Sequence, residues 1–299
     1  MMSMKAVVSA VPNLGRLQLA HARIRLTYLW RHGRWPNLSS PKLFTELVQL
    51  RKLEDRNPRM PLLADKVRVK EFVASRIGPE WVIPTLWQGI DLPCQPPWPT
   101  PFVVKSRHGC NQRIFVRSDP DNWETIRDQA SLWLKRSYGQ WLDEWLYDHI
   151  PRGLLIECFV GEDGMLPVDW KFYVFGGRVC FVQVHLGRET NHRWIIMDRH
   201  WRRVSTPSCD ADPAPPAPLK QMIAAAEELA RGFDFVRVDM YEVAGRPLFG
   251  EMTFYPGSGL DPFDPPCLDK KMGCEWLASQ RTEVASEASP RSRPILTMA

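Results

Sequence analysis

The segment Phe235–Gly259, FVRVDMYEVAGRPLFGEMTFYPGSG, restricts the fold more than any other part of this chain. Two runs of alternating character, Phe235–Val243 and Pro247–Phe254, flank Ala244, Gly245 and Arg246, a spacing that predicts a β-hairpin. With Gly245 at the tip, opposed residues have numbers summing to 490, so Arg237 faces Thr253 and Asp239 faces Glu251. Residues two apart share a face of a strand, which gathers all four side chains on one side and sends Val236, Val238 and Met240 into a core. Like charges opposed on a ladder destabilise it unless a cation lies between them. Oxygen-only ligands on a rigid hairpin suit Mg²⁺ held together with a phosphate. The plainer alternative is a solvent-facing hairpin whose acids align by chance.

At 299 residues and 44% hydrophobic content, the chain can bury a sizeable core in one large or two closely packed domains. Seven scattered cysteines with no C-x-x-C suit a reducing compartment, so a cytoplasmic location is expected. No run approaches the roughly 18 apolar residues of a spanning helix. The net charge of +5 is uneven: residues 1–45 carry Lys5, Arg16, Arg23, Arg25, Arg31, Arg34 and Lys42 with no acid. Leu14, Leu17, His21, Ile24 and Tyr28 recur there at helical spacing, which predicts a basic amphipathic helix within a segment 1–37. The favoured expectation is a helix packed on the domain with solvated arginines. The alternative is peripheral contact with an anionic membrane, at its inner face. No basic stripe interleaved with aromatics supports a nucleic-acid partner.

Helices are expected from Lys42 to about Asn57 and from about Ala64 to Ile77, the second closed by Gly78 and carrying Asp65, Lys66 and Lys70. After a proline-rich connector, Asp91–Pro101, a strand at Phe102–Val104 ends in Lys105, where an ammonium can reach a phosphate. The loop SRHGCNQR returns to a strand at Ile114–Val116; this is a strand-loop-strand flap, unlike a strand-to-helix P-loop. Asn111 tolerates positive φ, and Arg107 or Arg113 could add phosphate contacts. A helix over Asn122–Tyr138 puts Trp123, Ile126, Ala130, Trp133, Leu134 and Tyr138 in the core. LLIECFV is an apolar strand interrupted by Glu157, and Val168–Phe175 with Val179–His185 form a hairpin turning at Gly176-Gly177. That hairpin sets Asp169 and Lys171 on one face. Ser205–Pro218 is a loop, Leu219–Arg231 a helix, and the polar tail 278–299 is expected to be disordered.

R-x-D at Arg237–Asp239, followed by E-x-T-x-x-P-G at Glu251–Gly257, resembles the metal-binding end of the ATP-grasp ligases, with Thr253 where those usually carry Asn. The order F-x-E (Phe44–Glu46), D-R-N-P (Asp55–Pro58), L-A-D-K (Leu63–Lys66), H-G (His108, Gly109), D-x-K (Asp169–Lys171) and N-H-R (Asn191–Arg193) is similar to the TupA-like branch of that family. The resemblance covers residues 38–277. It implies an α+β ATP-grasp fold, two α+β lobes with ATP bound between them: a flap lobe over about 64–156 and a metal-binding lobe over about 157–277. By the same resemblance Asp239, Glu251 and Thr253 hold Mg²⁺. Lys66, Lys105, His108, Gly109, Glu157 and Asp169 contact ATP, and Arg237, Arg193 and Lys171 attend the transferred phosphoryl group and the acyl phosphate.

The activity so implied joins a carboxylate to an amine with ATP cleaved to ADP and phosphate. TupA-like members are thought to attach an amino acid to a uronic acid unit of a cell-envelope polymer, so the expected partners are a small-molecule or polysaccharide-linked carboxylate and an amino acid. Phosphoryl transfer asks mainly for positioning and charge neutralisation, which suits lysines, arginines and metal-bound carboxylates with no obvious nucleophile. Two other readings stand beside it. One is a metal-dependent glycosyltransferase, whose metal acids would lie close together, whereas Asp239 and Glu251 are twelve residues apart across a hairpin. The other is a non-catalytic nucleotide-binding or polymer-binding relative, favoured by the altered flap and by Thr253.

Overall fold

The computed structural model describes residues 14–118, 122–162, 164–207 and 211–288. Helix α1 (Leu14–His32) is followed by α2 (Phe44–Glu54), α3 (Arg59–Ala64) and α4 (Arg68–Ile77). A four-stranded antiparallel sheet comes next in the order β1-β4-β2-β3, from β1 (Thr85–Gly89), β2 (Phe102–Ser106), β3 (Arg113–Val116) and β4 (Leu154–Cys158). Helix α5 (Trp123–Lys135) covers one face of it. The second sheet has five antiparallel strands in the order β7-β6-β5-β8-β9: β5 (Asp169–Phe175), β6 (Arg178–Leu186), β7 (Arg193–Asp198), β8 (Phe235–Val243) and β9 (Arg246–Thr253). Helix α6 (Leu219–Leu229) crosses from the β7 edge so that β8 pairs with β5, and α7 (Cys267–Ala288) closes the described chain.

Alternation in the strands sorts the side chains. In the small lobe Phe102, Val104, Leu154 and Ile156 pack under Trp123, Ala130 and Trp133 of α5, and the opposite face carries Val103, Lys105 and Glu157 toward the large lobe. In the large lobe Phe172, Val174, Val236, Val238 and Met240 share one buried core with Met222, Ala226 and Leu229 of α6. The other face changes character along its length. At one end Phe175 and Phe235 lie beneath Phe44 of α2 and Trp276 of α7, with Phe235 and Trp276 ring centroids 4.5 Å apart. Burying such a ring contributes roughly 2–3 kcal/mol. Two and four residues along each strand the same face holds Tyr173, Lys171, Arg237 and Asp239.

The two large-lobe hairpins are built alike, and this corrects the turn expected at Gly245. Residues 244 and 245 form a two-residue turn, with φ of 50° at Ala244 and 72° at Gly245, and Val243 pairs with Arg246. Near the tip opposed numbers therefore sum to 489. A bulge at Gly250 adds one residue to β9, after which Asp239 pairs with Glu251 and Arg237 with Thr253, as the sequence predicts. The β5–β6 hairpin likewise turns at Gly176 and Gly177, both with positive φ, and shifts register between Tyr173 and Val174.

Other expectations change as well. The helix expected from about Ala64 begins later, at Arg68, and is preceded by α3 across a break at residues 65–67: the buried Asp65 carboxylate accepts from Val67 N at 2.9 Å, turning the chain into α4. Helix α4 buries Val69 and Val73 in the large-lobe core, so the small lobe begins after it, and the boundary expected at residue 157 falls inside β4. Helix α7 runs to Ala288, past Ala278 where composition predicts a tail. Ser279 and Gln280 tie it to Asp234 at 2.8 Å each, and residues 289–299 lie outside the described residues. Helix α1 packs on the domain, as favoured, through Ile24 and Tyr28, whose hydroxyl lies 2.9 Å from Thr45 Oγ1. No described helix is long and apolar enough to cross a membrane.

Candidate active site

Between the two sheets lies a cleft of about 440 Å³. Its small-lobe wall is basic. Glu157 on β4 is buried and lies between two ammonium groups, bonded to Lys105 Nζ and 2.5 Å from Lys70 Nζ. Lys105 comes from the neighbouring strand, where it stands opposite Leu155, diagonal to Glu157 on one face. Lys70 arrives from α4, one turn after the break, and also donates to Ile83 O at 2.8 Å. Burial opposes ionisation of Glu157, yet Lys105 and Lys70 outweigh it and hold the carboxyl below its usual range. Lys66, in the break, donates to Gly109 O and so ties the flap loop to the large lobe.

The large-lobe wall is a charge network. Asp239 accepts from Arg237 Nε and Nη2, each at 2.7 Å, and from Lys171. Lys171 also lies 2.9 Å from Asp169, and Arg188 meets that same Asp169 oxygen at 2.9 Å. The other oxygen of Asp169 is buried without a partner. Glu251 stands apart: its side chain is 37% exposed and its carboxylate is 3.6 Å from Arg237 Nη2. Thr253 Oγ1 bridges the pair, accepting from Arg237 at 3.2 Å and lying 3.4 Å from Glu251. Burial of Asp239 favours its neutral form, but Arg237 and Lys171 win and hold it at about 2. His185 behind them is kept neutral by burial and then by the positive charge of Lys171 and Arg188.

The residues singled out in the sequence are largely brought together: Lys66, Lys105, Gly109, Glu157, Asp169, Lys171, Arg237, Asp239, Glu251 and Thr253 all line this cleft. Two do not. His108 is buried behind the flap, its Nε2 3.2 Å from Trp133 O. Arg193 is exposed at the start of edge strand β7, opposite Leu186, in the set of residues that alternates away from His185 and Asp169. Arg107, a candidate for phosphate contacts, instead forms a bidentate pair with Asp65 at 2.8 and 2.6 Å, which fixes the flap's root. Asn111 does adopt positive φ, 57°. Tyr138, expected in the core, lies past the end of α5 and faces the cleft. Lys70, Glu144, Arg188 and Ser258 line the cleft without having been singled out. Lys70 alone had a signal, its position one helical turn after Lys66.

No described group of three His, Cys, Asp or Glu forms a metal cluster. The donors that do converge are two carboxylates and a hydroxyl, all oxygen, on a paired hairpin, and that donor chemistry fits Mg²⁺. Val82, Val160, Leu166 and Phe249 give the same cleft an apolar stretch able to take a planar base beside its charged floor.

A family model, TupA-like ATPgrasp, matches residues 46–277. Among solved structures, an L-amino acid ligase from Bacillus licheniformis is similar with a TM-score of 0.50 at 13% identity, over 94% of this chain and 65% of that one. A D-alanine–D-alanine ligase from Bacillus anthracis, complexed with ATP, is similar with a TM-score of 0.44 at 13% identity, over 76% of this chain and 69% of that one. No curated protein matches the chain by sequence. Two α+β lobes about a charged cleft and a family match over most of the length agree with each other: the chain has the ATP-grasp fold and belongs to the TupA-like ATP-grasp family.

Proposed function

We propose that the protein is an ATP-dependent carboxylate–amine ligase that works through an acyl phosphate, with Mg²⁺ held by Asp239, Glu251 and Thr253. The observation that carries this reading is the opposition of Lys66, Lys70 and Lys105 on one wall to the Arg237–Asp239–Lys171 network and Glu251 on the other. The apolar stretch at Val160, Leu166 and Phe249 takes the adenine, and Lys70 and Lys105 draw the phosphates. Mg²⁺, when bound, supplies charge neutralisation at the phosphate oxygens. Arg237 and Lys171 are already aimed at the position where charge develops on the transferred phosphoryl group, so little reorganisation is needed during the transfer. Arg188, rather than Arg193, stands beside them on the cleft side of β6.

A carboxylate oxygen becomes a leaving group once phosphorylated, and the amine then displaces phosphate at the acyl carbon. The substrate pair proposed is an amino acid and a uronic acid unit of a surface polysaccharide. A protein acting on such a polymer in the cytoplasm would work near the inner face of the membrane. Helix α1 has a face suited to that, with Leu19, Leu26 and Trp30 exposed beside Arg25. The test of the ligase reading is ADP release when uronic acids and amino acids are supplied in pairs, with Glu251→Gln as the control. ADP release that needs both and is lost in the variant supports it. A thermal shift with a uridine diphosphate sugar and none with Mg-ATP would replace it with the glycosyltransferase.

A further inference from the structure

Beside Cys110 of the flap loop the lining of the cleft is built differently. Here the lining is Tyr138, Tyr147, Tyr255, Cys110, Ser258 and one carboxylate, Glu144. Glu144 comes from a compact turn segment after α5, its N–H bonded to Gly139 O at 3.0 Å, and it is 5% exposed. The charge facing it is the buried Lys52, but that ammonium's three hydrogens go elsewhere: to Gln49 Oε1 at 3.0 Å, Ser258 O at 2.8 Å and Ser258 Oγ at 2.6 Å. Burial favours the neutral form of Glu144, opposed by the positive charge of Lys52 and then by the Ser258 hydroxyl, while the hydrogen bonds of Lys52 itself go to Gln49 and Ser258. A carboxylate has about four acceptor positions, so most of its capacity is open.

A second group is short of a partner. Tyr255 is 4% exposed, lines the cleft, and its hydroxyl has no hydrogen bond. Tyr138 and Tyr147 meet edge to face, ring centroids 4.8 Å apart, and complete the wall. The pocket adjoins the large-lobe acids: burial raises the Tyr138 hydroxyl, and the carboxylates of both Glu144 and Glu251 raise it further. An under-bonded carboxylate, a free hydroxyl and aromatic walls suit one chemical class above others, a primary ammonium with N–H donors.

The geometry points to this part of the cleft as a binding subsite for a primary ammonium, held by Glu144 with Tyr255 and walled by Tyr138 and Tyr147. Identifying that ammonium with the amine co-substrate rests on the ligase reading; the subsite itself does not. Lys52, held by Gln49 and Ser258, offsets the charge of the Glu144 carboxylate.

The experiment is thermal unfolding of the full chain and of Glu144→Gln with ethanolamine, L-alaninamide and L-lysine, each in excess, with N-acetyl-L-alaninamide as the uncharged control and Mg-ATP measured separately. At least one ammonium should raise the midpoint of the wild-type protein, the uncharged control should not, and Glu144→Gln should weaken the apparent dissociation constant at least tenfold. Mg-ATP should shift both proteins alike. Should Glu144→Gln fail to unfold cooperatively, Tyr255→Phe decides, since it removes only an unpartnered hydroxyl, and about a threefold weakening is expected from it. No shift with any ammonium, or equal constants in wild type and variants, overturns the subsite. Loss of the Mg-ATP shift in the wild type alongside a Glu144-dependent ammonium shift leaves the subsite standing and removes the ligase reading instead.

Discussion

Two buried carboxylates face each other across the cleft, and each is clamped by two cations. Glu157 in the small lobe has Lys70 and Lys105; Asp239 in the large lobe has Lys171 and Arg237. Their surroundings differ. Around Glu157 the lysines Lys66, Lys70 and Lys105 outnumber the single acid, so that wall carries excess positive charge. Around Asp239 the acids Asp169, Asp239 and Glu251 are matched by Lys171, Arg188 and Arg237, and the network balances itself. The lysine wall, built from α4, the break before it and β2, thus attracts an anion unaided. On the proposed reading the large-lobe wall takes up a divalent cation and a phosphate as a pair, which leaves its balance least disturbed. The lysine wall is suited to capture, and the arginine–carboxylate wall to holding developing charge in place.

The largest expected effect separates the two acids of the hairpin. Glu251→Gln and Asp239→Ala should each lower turnover by about a thousandfold, the worth of several kcal/mol of metal-assisted stabilisation. Only Asp239→Ala should also destabilise the fold, by roughly 3–5 kcal/mol, because it leaves Arg237 and Lys171 buried without their shared partner. Glu251 is exposed enough to lose its charge with little effect on the unfolding midpoint. Equal destabilisation by both variants would mean that the balance of the large-lobe network depends on Glu251 as much as on Asp239.

On the other wall, Lys105→Met should raise the KM for ATP about tenfold with a smaller change in kcat, as expected for losing one charge-assisted hydrogen bond in capture. Lys70→Met should act alike. The double variant should lose more stability than the two singles together, since Glu157 then has no cation. A kcat effect as large as that of Glu251→Gln would break the assignment of capture to one wall and chemistry to the other.

How much of this was legible in the sequence follows from how local each signal is. The hairpin's shared face was readable because strand periodicity fixes faces, so Arg237, Asp239, Glu251 and Thr253 could be placed together from spacing alone. Lys66 lies between two helices, Lys105 near the end of β2 and Lys171 inside β5; a short motif marks Lys66 and Lys171, and the end of an apolar strand marks Lys105. Glu144 and Ser258 lie in irregular turns with no period, and their meeting depends on chain far apart in sequence. A motif match at His108 says nothing about direction: the flap's root, fixed by Arg107 and Asp65, turns that ring inward to Trp133 O. The lobe that α4 joins is not a local signal, because α4 precedes the small sheet in sequence but shares its core with the large one.

Acid should separate the two walls more gently. Asp239 has its folded carboxyl at about 2, against the ordinary 3.8. A depressed folded value means the stabilisation is complete above about pH 4 and is lost as pH falls from there toward about 2, amounting to about 2 kcal/mol. Denaturant unfolding across that window should show the loss in the wild type and a flatter profile in Asp239→Ala. Glu157 is lowered in the same sense and adds to the slope in both proteins. Identical profiles would place the acid-sensitive pairing outside the hairpin, with Asp234 beneath α7 the next carboxylate to test.

The smallest expected effect bears on how the large-lobe acids come to face each other at all. The two-residue turn at 244 and 245 would set β9 one residue out of register, pairing Asp239 with Gly250, had the bulge not restored it. A Cβ on Gly250 would meet Asp239 O at 3.0 Å and the Tyr241 ring at 3.2 Å, so Gly250→Ala presses on the bulge from both sides. The expected cost is about 1–2 kcal/mol of stability, too little to unfold the domain but enough to move Glu251 relative to Asp239. Turnover should therefore fall about tenfold while the KM for ATP, set by the lysine wall, stays within about twofold. If KM rose with the fall in turnover, the two walls would not be separable, because a strain confined to one hairpin of the large lobe would have reached the lysines across the cleft.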